Sequence, residues 1–381
     1  MGFSKRTSYI DISGIRRMFE FSKGEDTINL GLGEPDFSIP PESKEAVRQA
    51  LDADFTHYTP GKGIIELREG IAAKLKRNGI FADPEEIIVT SGASEALEIV
   101  LLALVDSGDE VIIPDPGFVS YAPLTRIAGG VPVSFVVTEE NSFEFDPAAI
   151  EEKITDRTKA IILNSPGNPT GALTRKKDVK EIAGLADDHG IFVISDEVYD
   201  EIIYMGEHYS IGRYTDLAIT VNAFSKTYAM TGLRLGYLHA REDAVEEILK
   251  IHQYVQASTC SLSQAAAVAA LKSGDGFTKE MVRTLAKRRD LIVGLLSEIE
   301  GVRCLKPGGA FYVFPNVSEL GRSAELAMSI LKNTGVIVTP GTAFGKKGEG
   351  YIRLSYATSE ENIVEGVGRI AKYLNIYMGQ R

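Results

Sequence analysis

The strongest constraint on how this chain can fold is an alternation of short apolar runs with longer amphipathic segments. Helical periodicity follows several of the runs, as in SGASEALEIVLLALV and DVKEIAGLADDHG. Continuous isoleucine- and valine-rich strands separated by helices indicate a parallel sheet that helices cover on both faces. The runs are EIIVT (86–90), EVIIPD (110–115), AIILNSP (160–166), IFVISDE (191–197) and LAITVNAFS (217–225).

The last third of the chain has a different pattern. The sequence is helical from about residue 240 to about residue 298, and strand-like runs return at GAFYVFP, GVIVTP and YIRLSYA. A chain of 381 residues is also longer than most single compact cores. We therefore predict an α/β fold with two domains. The large domain, residues 43–284, holds a mostly parallel sheet flanked by helices, and residues 1–42 with 285–381 form a smaller α+β domain.

Composition argues against several classes of protein. Acidic residues outnumber basic ones by 53 to 41, and the net charge of −12 is opposite to that of a nucleic-acid binder. The two cysteines and five histidines lack the spacing of a disulfide framework or a metal site, so we expect no metal. The N-terminus has no signal-peptide core, and the run IVLLALV is too short to cross a bilayer. We expect a cytoplasmic protein with no membrane or nucleic-acid partner.

Polar residues stand at the ends of four predicted strands. Asn168 follows AIILN, Asp196 ends IFVIS, Lys226 follows LAITVNAFS, and Ser91 with Gly92 opens a helix after EIIVT. Ligands of open α/β sheets bind outside the carboxyl ends of the strands. A donor, an acid, an amine and a glycine-containing helix start are therefore predicted to meet in one site.

Lys226 is the most informative of these residues. A lysine at a buried strand end either reaches the surface, pairs with an acid, or is desolvated and able to form a Schiff base. Arg234, Ser225 and the helix start after Gly92 are suitable donors for a phosphate. A lysine beside a phosphate site suggests pyridoxal phosphate. Asp196 would then keep the pyridine nitrogen protonated, although an aspartate after a strand is often only a turn or helix cap.

Six ordered motifs carry a resemblance to a known family. SKTYAMTGLRLGY (225–237) is similar to the lysine signature of class I and II aminotransferases, which are fold-type I pyridoxal-phosphate enzymes. The resemblance covers the chain from about residue 10 to residue 373. The other motifs are LGEPDF (32–37), HYTPGKGIIELREGI (57–71), SPGNPTG (165–171), SDEVY (195–199) and IRLSYA (352–357).

The resemblance implies a role for each catalytic residue. Lys226 would bond to the cofactor aldehyde and, once freed by the substrate, move the Cα proton as a general base. Asp196 would pair with the pyridine nitrogen, and Asn168 and Tyr199 would hydrogen-bond the phenolic oxygen of the ring. Phe118 would stack on the ring, since any aromatic face is adequate for stacking. Tyr121 is either close to the ring or a core tyrosine.

The resemblance also implies a phosphate site that two subunits share. Tyr58 would reach the phosphate of the partner subunit, so that a homodimer is needed for a complete site. The remaining phosphate-binding residues would be Ser91, Gly92, Ala93, Ser225 and Arg234.

Arg353 is the predicted substrate anchor. Alternation in GYIRLSYA places Tyr351, Arg353 and Ser355 on one strand face. An arginine in an apolar strand needs a planar anion, which could be a structural acid or a ligand carboxylate. The resemblance implies the α-carboxylate of an amino acid, with Asn168 and the backbone at Gly33 assisting.

The sequence leaves the preferred amino donor open. Aspartate-specific members of the family use a second cation, but the segment YVQASTCSLSQ has no lysine or arginine, and Ser94 stands where some bacterial members have lysine. We therefore expect an aminotransferase that acts on aspartate or an aromatic amino acid by a ping-pong mechanism, with 2-oxoglutarate as acceptor. The same cofactor site also serves C–S lyases and Cα-condensing synthases, which remain alternatives.

Overall fold

The computed structural model describes residues 2–10, 14 and 26–378. Of the predicted small domain, residues 1, 11–13, 15–25 and 379–381 lie outside the described residues. None of the described helices combines the length and apolar character that a membrane crossing requires. The α-helices are α1 (Pro41–Asp52), α2 (Ile65–Arg77), α3 (Ala93–Leu104), α4 (Tyr121–Ile127), α5 (Pro147–Glu151), α6 (Lys176–His189), α7 (Phe224–Thr227), α8 (Glu242–Val255), α9 (Ser261–Ser273), α10 (Asp275–Ser297), α11 (Ser323–Thr334) and α12 (Glu360–Met378).

A seven-stranded sheet forms the centre of the molecule. Its strands are β2 (Ile87–Thr90), β3 (Glu110–Asp115), β4 (Val131–Val136), β5 (Thr158–Asn164), β6 (Phe192–Asp196), β7 (Ala218–Ala223) and β8 (Gly236–His239), and β1 (Ile28–Asn29) lies outside this sheet. The strand order is β2–β8–β7–β6–β5–β3–β4, and β8 runs antiparallel to both of its neighbours. The prediction of a mostly parallel sheet flanked by helices is confirmed.

Short strands from both ends of the chain form two smaller sheets. Strand β1 pairs in parallel with β10 (Val336–Ile337). An antiparallel sheet has the order β11 (Thr339–Pro340), β12 (Ile352–Ser355) and β9 (Tyr312–Val313). Strands β9, β10 and β12 share one apolar core with α10, α11 and α12, and Ile28 of β1 packs against it. Residue 285, the predicted boundary, lies within α10, and the division into two domains stays a prediction.

The end of β3 is bonded to the segment that precedes β12. The Gly117 amide donates to the Phe344 carbonyl at 2.8 Å, and the Lys347 amide donates to Asp115 Oδ1 at 2.9 Å. Burial raises the pKa of the Asp115 carboxyl, although hydrogen bonds from the backbone amides of Lys347 and Lys346 oppose the shift. Gly345 has φ of 130°, and a Cβ there would overlap Asp115 Oδ1. This junction fixes the chain that leads to Phe118 against the strand that carries Arg353.

Replacing Gly345 with alanine is expected to destabilise the protein. The new Cβ would meet Asp115 Oδ1 and would hold a positive φ that favours glycine, so we expect a loss of roughly 1–3 kcal/mol. Calorimetric unfolding measures the effect. Gly184→Ala is the matched control, because this glycine lies in α6 and a Cβ added to it would meet no atom of the described residues outside its own helix within 4 Å. Equal unfolding temperatures for the two variants would contradict the prediction.

Candidate active site

The carboxyl ends of four strands converge at one edge of the central sheet. Strands β5, β6 and β7 are parallel, and β2 shares their direction because β8 is antiparallel to both β2 and β7. The register pairs Asn164 with Asp196 and Asp196 with Val221. Lys226 follows β7 by three residues, in the short helix α7. The predicted meeting of polar strand ends is therefore observed.

A cavity of about 340 Å³ opens at this edge. Most of the predicted site residues line it, whereas Ser91, Gly92 and Tyr58 do not. Leu32, Glu34, Asn164 and Tyr312 also line it, and the sequence alone did not single them out. The predicted residues in the lining are Gly33, Ala93, Phe118, Asn168, Asp196, Tyr199, Ser225, Lys226, Arg234 and Arg353.

The Lys226 amine is enclosed by protein and faces the cavity. Its Nζ donates to the Gly33 carbonyl at 2.5 Å and lies 5.7 Å from the centre of the Phe311 ring. Burial and the nearby positive charge of Arg353 lower the pKa of Lys226 to about 8. A larger fraction of this amine is therefore uncharged and nucleophilic near neutral pH than for an exposed lysine.

Asp196 is a buried carboxyl whose neighbours fix its orientation. The Tyr121 hydroxyl donates to Oδ2 at 2.8 Å, and the Val198 amide donates to Oδ1 at 3.4 Å. Burial nevertheless raises the pKa of Asp196 to about 6. The sequence left open whether Tyr121 is a core tyrosine or a residue near the predicted site. It is a core tyrosine, and its hydroxyl also contacts Asp196 of that site. A cationic partner in the cavity would favour the ionised carboxylate.

Asn164 links the acid to the turn that follows β5. Its Nδ2 donates to the Asp196 carbonyl at 2.9 Å, and its Oδ1 accepts from the Asn168 amide at 2.8 Å. Its position as the last residue of β5, on the predicted ligand-binding edge, was the signal in the sequence that could have identified it.

Arg353 is 1% exposed and has no acidic partner among the described residues. Its guanidinium donates to Asn168 Oδ1 at 2.9 Å and to the Gly31 carbonyl at 2.6 Å, and Nε is unpaired. The rings of Tyr312 and Phe344 lie 4.4 and 4.8 Å from it. The structural ion pair that the sequence left open is therefore not seen, and the arginine can bind an added anion.

The start of α3 and Arg234 form a second place for an anion. Gly92 has φ of 82° and precedes the helix without any side-chain cap. A Cβ at Gly92 would lie 2.7 Å from the Arg234 guanidinium, so a larger residue would displace it. The Ser91 amide is already bonded to Glu95, and the Gly92 amide donates to the Thr90 carbonyl at 2.8 Å. A helix start beside a guanidinium attracts phosphate, and here the free amides begin after Gly92.

Tyr58 is separate from the cavity lining. Its side chain is 91% exposed, in the loop before α2. Within one protomer this tyrosine contributes nothing to the cavity surface.

Comparison with known proteins places the chain in a family. The profile for Aminotransferase class I and II matches residues 25–370. The chain is 44% identical to the aspartate aminotransferase of Pyrococcus horikoshii over 97% of each chain, and 42% identical to aromatic-amino-acid aminotransferase 2 of Thermococcus litoralis over 98% of each. A solved structure named aspartate aminotransferase from Thermus thermophilus with maleate is 38% identical, with a TM-score of 0.94 over 98% of this chain and 99% of that one.

The chain therefore belongs to the class I and II aminotransferases, which confirms the resemblance inferred from its motifs. It is a pyridoxal-phosphate-dependent enzyme that transfers amino groups of amino acids.

The lowered pKa of Lys226 predicts how the cofactor-free enzyme reacts with an amine reagent. The amine is protonated below its pKa, so the labelling rate should rise with pH and level off above about 8. Peptide mass spectrometry after brief trinitrobenzenesulfonate labelling measures the rate at this residue, and Lys226→Met provides the blank. A rate that climbs without a plateau to about pH 10, as for an ordinary lysine, would contradict the prediction.

Proposed function

We propose that this enzyme moves the α-amino group of aspartate or of an aromatic L-amino acid to a 2-oxo acid, with 2-oxoglutarate as the expected acceptor, by a ping-pong mechanism. The observation that carries the proposal is that Lys226, Asp196 and Arg353 line one cavity, and that Arg353 has no acidic partner among the described residues. An amine, an acid and a carboxylate-binding guanidinium are the groups that amino transfer needs.

The residues present fit pyridoxal phosphate. Lys226 would bond to its aldehyde, Asp196 would accept a hydrogen bond from the ring nitrogen, and Arg234 with Ser225 and the turn Ser91–Ala93 would bind the phosphate. Within this turn the Ser91 and Gly92 amides bond to the protein itself, so Ala93 and the positive end of α3 would supply the contacts to the phosphate. When bound, the cofactor supplies an electron sink for the charge left at Cα.

The groups around the ring have supports in the structure. Tyr199 donates or accepts a hydrogen bond with the Tyr312 hydroxyl at 2.9 Å, which directs the phenol toward the cavity beside Asn168. Both residues would bond the phenolic oxygen of the ring. Phe118, held edge-on by Tyr121 at 5.5 Å between ring centres, would cover one ring face.

Lys226 is suited to move the Cα proton. Its pKa of about 8 lies close to neutral pH, where a general base is most effective. The Gly33 carbonyl, which accepts from Nζ at 2.5 Å, gives the free amine a fixed position inside the cavity. Held there, the amine would be placed to accept the Cα proton of a bound substrate and to give it up again.

Arg353 would bind the α-carboxylate of the substrate. Asn168 and Gly31 already direct the guanidinium, and the flanking aromatic rings keep it dry, so that the interaction with an anion is stronger than in water. Asn168 and the backbone at Gly33 border the same space.

The lining of the cavity bears on the amino donor. Its basic residues among the described part of the chain are Lys226, Arg234 and Arg353, and each has a role in the proposal above. A carboxylate side chain would therefore need a cation from elsewhere, whereas Leu32 and Leu97 offer apolar surface. The named relatives include both an aspartate and an aromatic enzyme, and this lining supports aromatic donors over aspartate.

We also propose that the enzyme is a cytoplasmic homodimer in which Tyr58 reaches the phosphate of the partner subunit. The 91% exposure of this tyrosine supports a contact outside its own protomer. Cys260 and Cys304 form no disulfide, as is usual in a reducing compartment.

A half-reaction with single donors tests the proposed function. Loaded enzyme is mixed with ¹⁵N-labelled tyrosine, phenylalanine, aspartate or glutamate without any acceptor. We expect one equivalent of 2-oxo acid per site, ¹⁵N retained on the enzyme, and faster reaction with the aromatic donors. No 2-oxo acid from these donors, with pyruvate, ammonia and a thiol released from S-methylcysteine in a separate sample, would instead support a C–S lyase, and condensation of an amino acid with an added acyl thioester would support a synthase.

Replacing Arg353 with alanine is expected to raise KM for every α-amino acid alike. The loss of charged hydrogen bonds to the shared α-carboxylate should lower kcat/KM roughly 10- to 100-fold. Steady-state kinetics on tyrosine, phenylalanine and aspartate measure it, and Arg353→Lys, which keeps the charge without the planar fork, should be intermediate. An effect confined to one donor would show that Arg353 recognises a side chain instead.

Mixing two inactive variants tests whether Tyr58 acts across a dimer. Lys226→Ala and Tyr58→Ala chains are each expected to be impaired, but a mixed dimer contains one site with both residues intact. Activity should appear after the two proteins are unfolded and refolded together and should be absent after mixing without exchange. If Tyr58 served its own protomer, no mixed site would be complete and no activity would be regained.

A further inference from the structure

Glu95 and His252 form a buried pair behind the turn that begins α3. Glu95 is 7% exposed and His252 is 0% exposed, and Glu95 Oε1 lies 2.7 Å from His252 Nδ1. The other carboxylate oxygen of Glu95 accepts from the Ser91 amide. Neither side chain lines the cavity, so neither can contact the substrate.

Both ring nitrogens of His252 face acceptors. Nδ1 faces Glu95 Oε1, and Nε2 lies 3.0 Å from the Gly61 carbonyl, which can only accept. A neutral imidazole carries a single N–H, so both bonds form only if a second proton lies between Nδ1 and Oε1. Whichever of these two atoms holds that proton, the pair has no net charge.

The positions of the two residues on their helices favour this arrangement. Glu95 lies in the first turn of α3, where the helix dipole stabilises an acid, and His252 lies in the last turn of α8, where it stabilises a protonated imidazole. A buried carboxylate without a partner would be costly.

The charge of Glu95 matters because this residue is bonded to the turn that leads to the proposed phosphate site. Its partner Ser91 directly precedes Gly92, where an added Cβ would lie 2.7 Å from the Arg234 guanidinium. We propose that His252 and Glu95 are positioning residues for the cofactor phosphate: Glu95 fixes the turn through the Ser91 amide, and His252 cancels the charge that would otherwise oppose the phosphate. This inference rests on the proposed phosphate site at Ala93 and Arg234.

The same pair links the phosphate turn to the loop that carries Tyr58. His252 Nε2 reaches Gly61, and the Val89 amide, one residue before the end of β2, donates to the Lys62 carbonyl at 3.0 Å. The loop is therefore connected to the turn through this pair and to β2 through the Lys62 carbonyl.

Affinity for pyridoxal phosphate tests the inference. The phosphate compound is titrated into the cofactor-free dimer, and its dissociation constant is measured by calorimetry for Glu95→Gln, His252→Gln, the double variant and Arg234→Ala. Glutamine at 95 can still accept from Ser91 and donate to a neutral His252, so it should bind nearly as well as the native protein. His252→Gln leaves Glu95 charged and should weaken binding about tenfold, an effect typical of lost supporting residues. If that variant does not fold, His252→Asn carries the same expectation.

The double variant distinguishes charge from packing. With both ends of the pair neutral, affinity should return to within about threefold of the native value, because replacing both partners together leaves no buried charge. Two results would overturn the inference when Arg234→Ala binds the cofactor weakly. One is native affinity in His252→Gln, and the other is an affinity in the double variant that is as weak as in His252→Gln. Native affinity in Arg234→Ala would instead overturn the phosphate site itself, and the inference with it.

Discussion

The site depends on two cations, the partly buried Lys226 and the fully buried Arg353, and neither forms an ion pair with a carboxylate in the described part of the chain. Lys226 bonds to the Gly33 carbonyl, and Arg353 bonds to Asn168 and the Gly31 carbonyl. Burying positive charge without an anion costs free energy, which appears at Lys226 as a lowered pKa. An anionic ligand at Arg353, or a covalent bond that removes the lysine charge, relieves this cost. Binding such an anion, or forming such a bond, therefore lowers the free energy of the site, and both belong to the chemistry of an aminotransferase.

The central sheet determines where these groups meet. Because β2, β5, β6 and β7 share one direction, their carboxyl ends place the helix start, the asparagine turn, Asp196 and Lys226 at a single edge. Arg353 comes from β12 in a different sheet, and the junction between Asp115 and Lys347 ties that sheet to β3. The position of Arg353 relative to the strand ends of the central sheet therefore depends on this junction.

Much of this arrangement could be predicted from the sequence, because the strands β2, β3, β5, β6 and β7 are continuous apolar runs. Strand β4 was not among the predicted strands: it is an edge strand with mixed exposure, so it lacks such a run. Polar residues at strand ends identified Asp196 and Lys226. Tyr312 could not be identified, because its bond to Tyr199 joins residues 113 positions apart, and the same holds for Glu95 and His252, which are 157 apart.

The attachment of the cofactor to Lys226 is the central claim, and borohydride reduction of the loaded enzyme tests it most directly. Reduction makes a carbon–nitrogen bond between lysine and cofactor permanent, and proteolysis with mass spectrometry then locates it. We predict one adduct per chain, on the peptide that contains Lys226, and none in Lys226→Ala. An adduct on another lysine, such as the buried Lys74, or no adduct at all, would contradict the account.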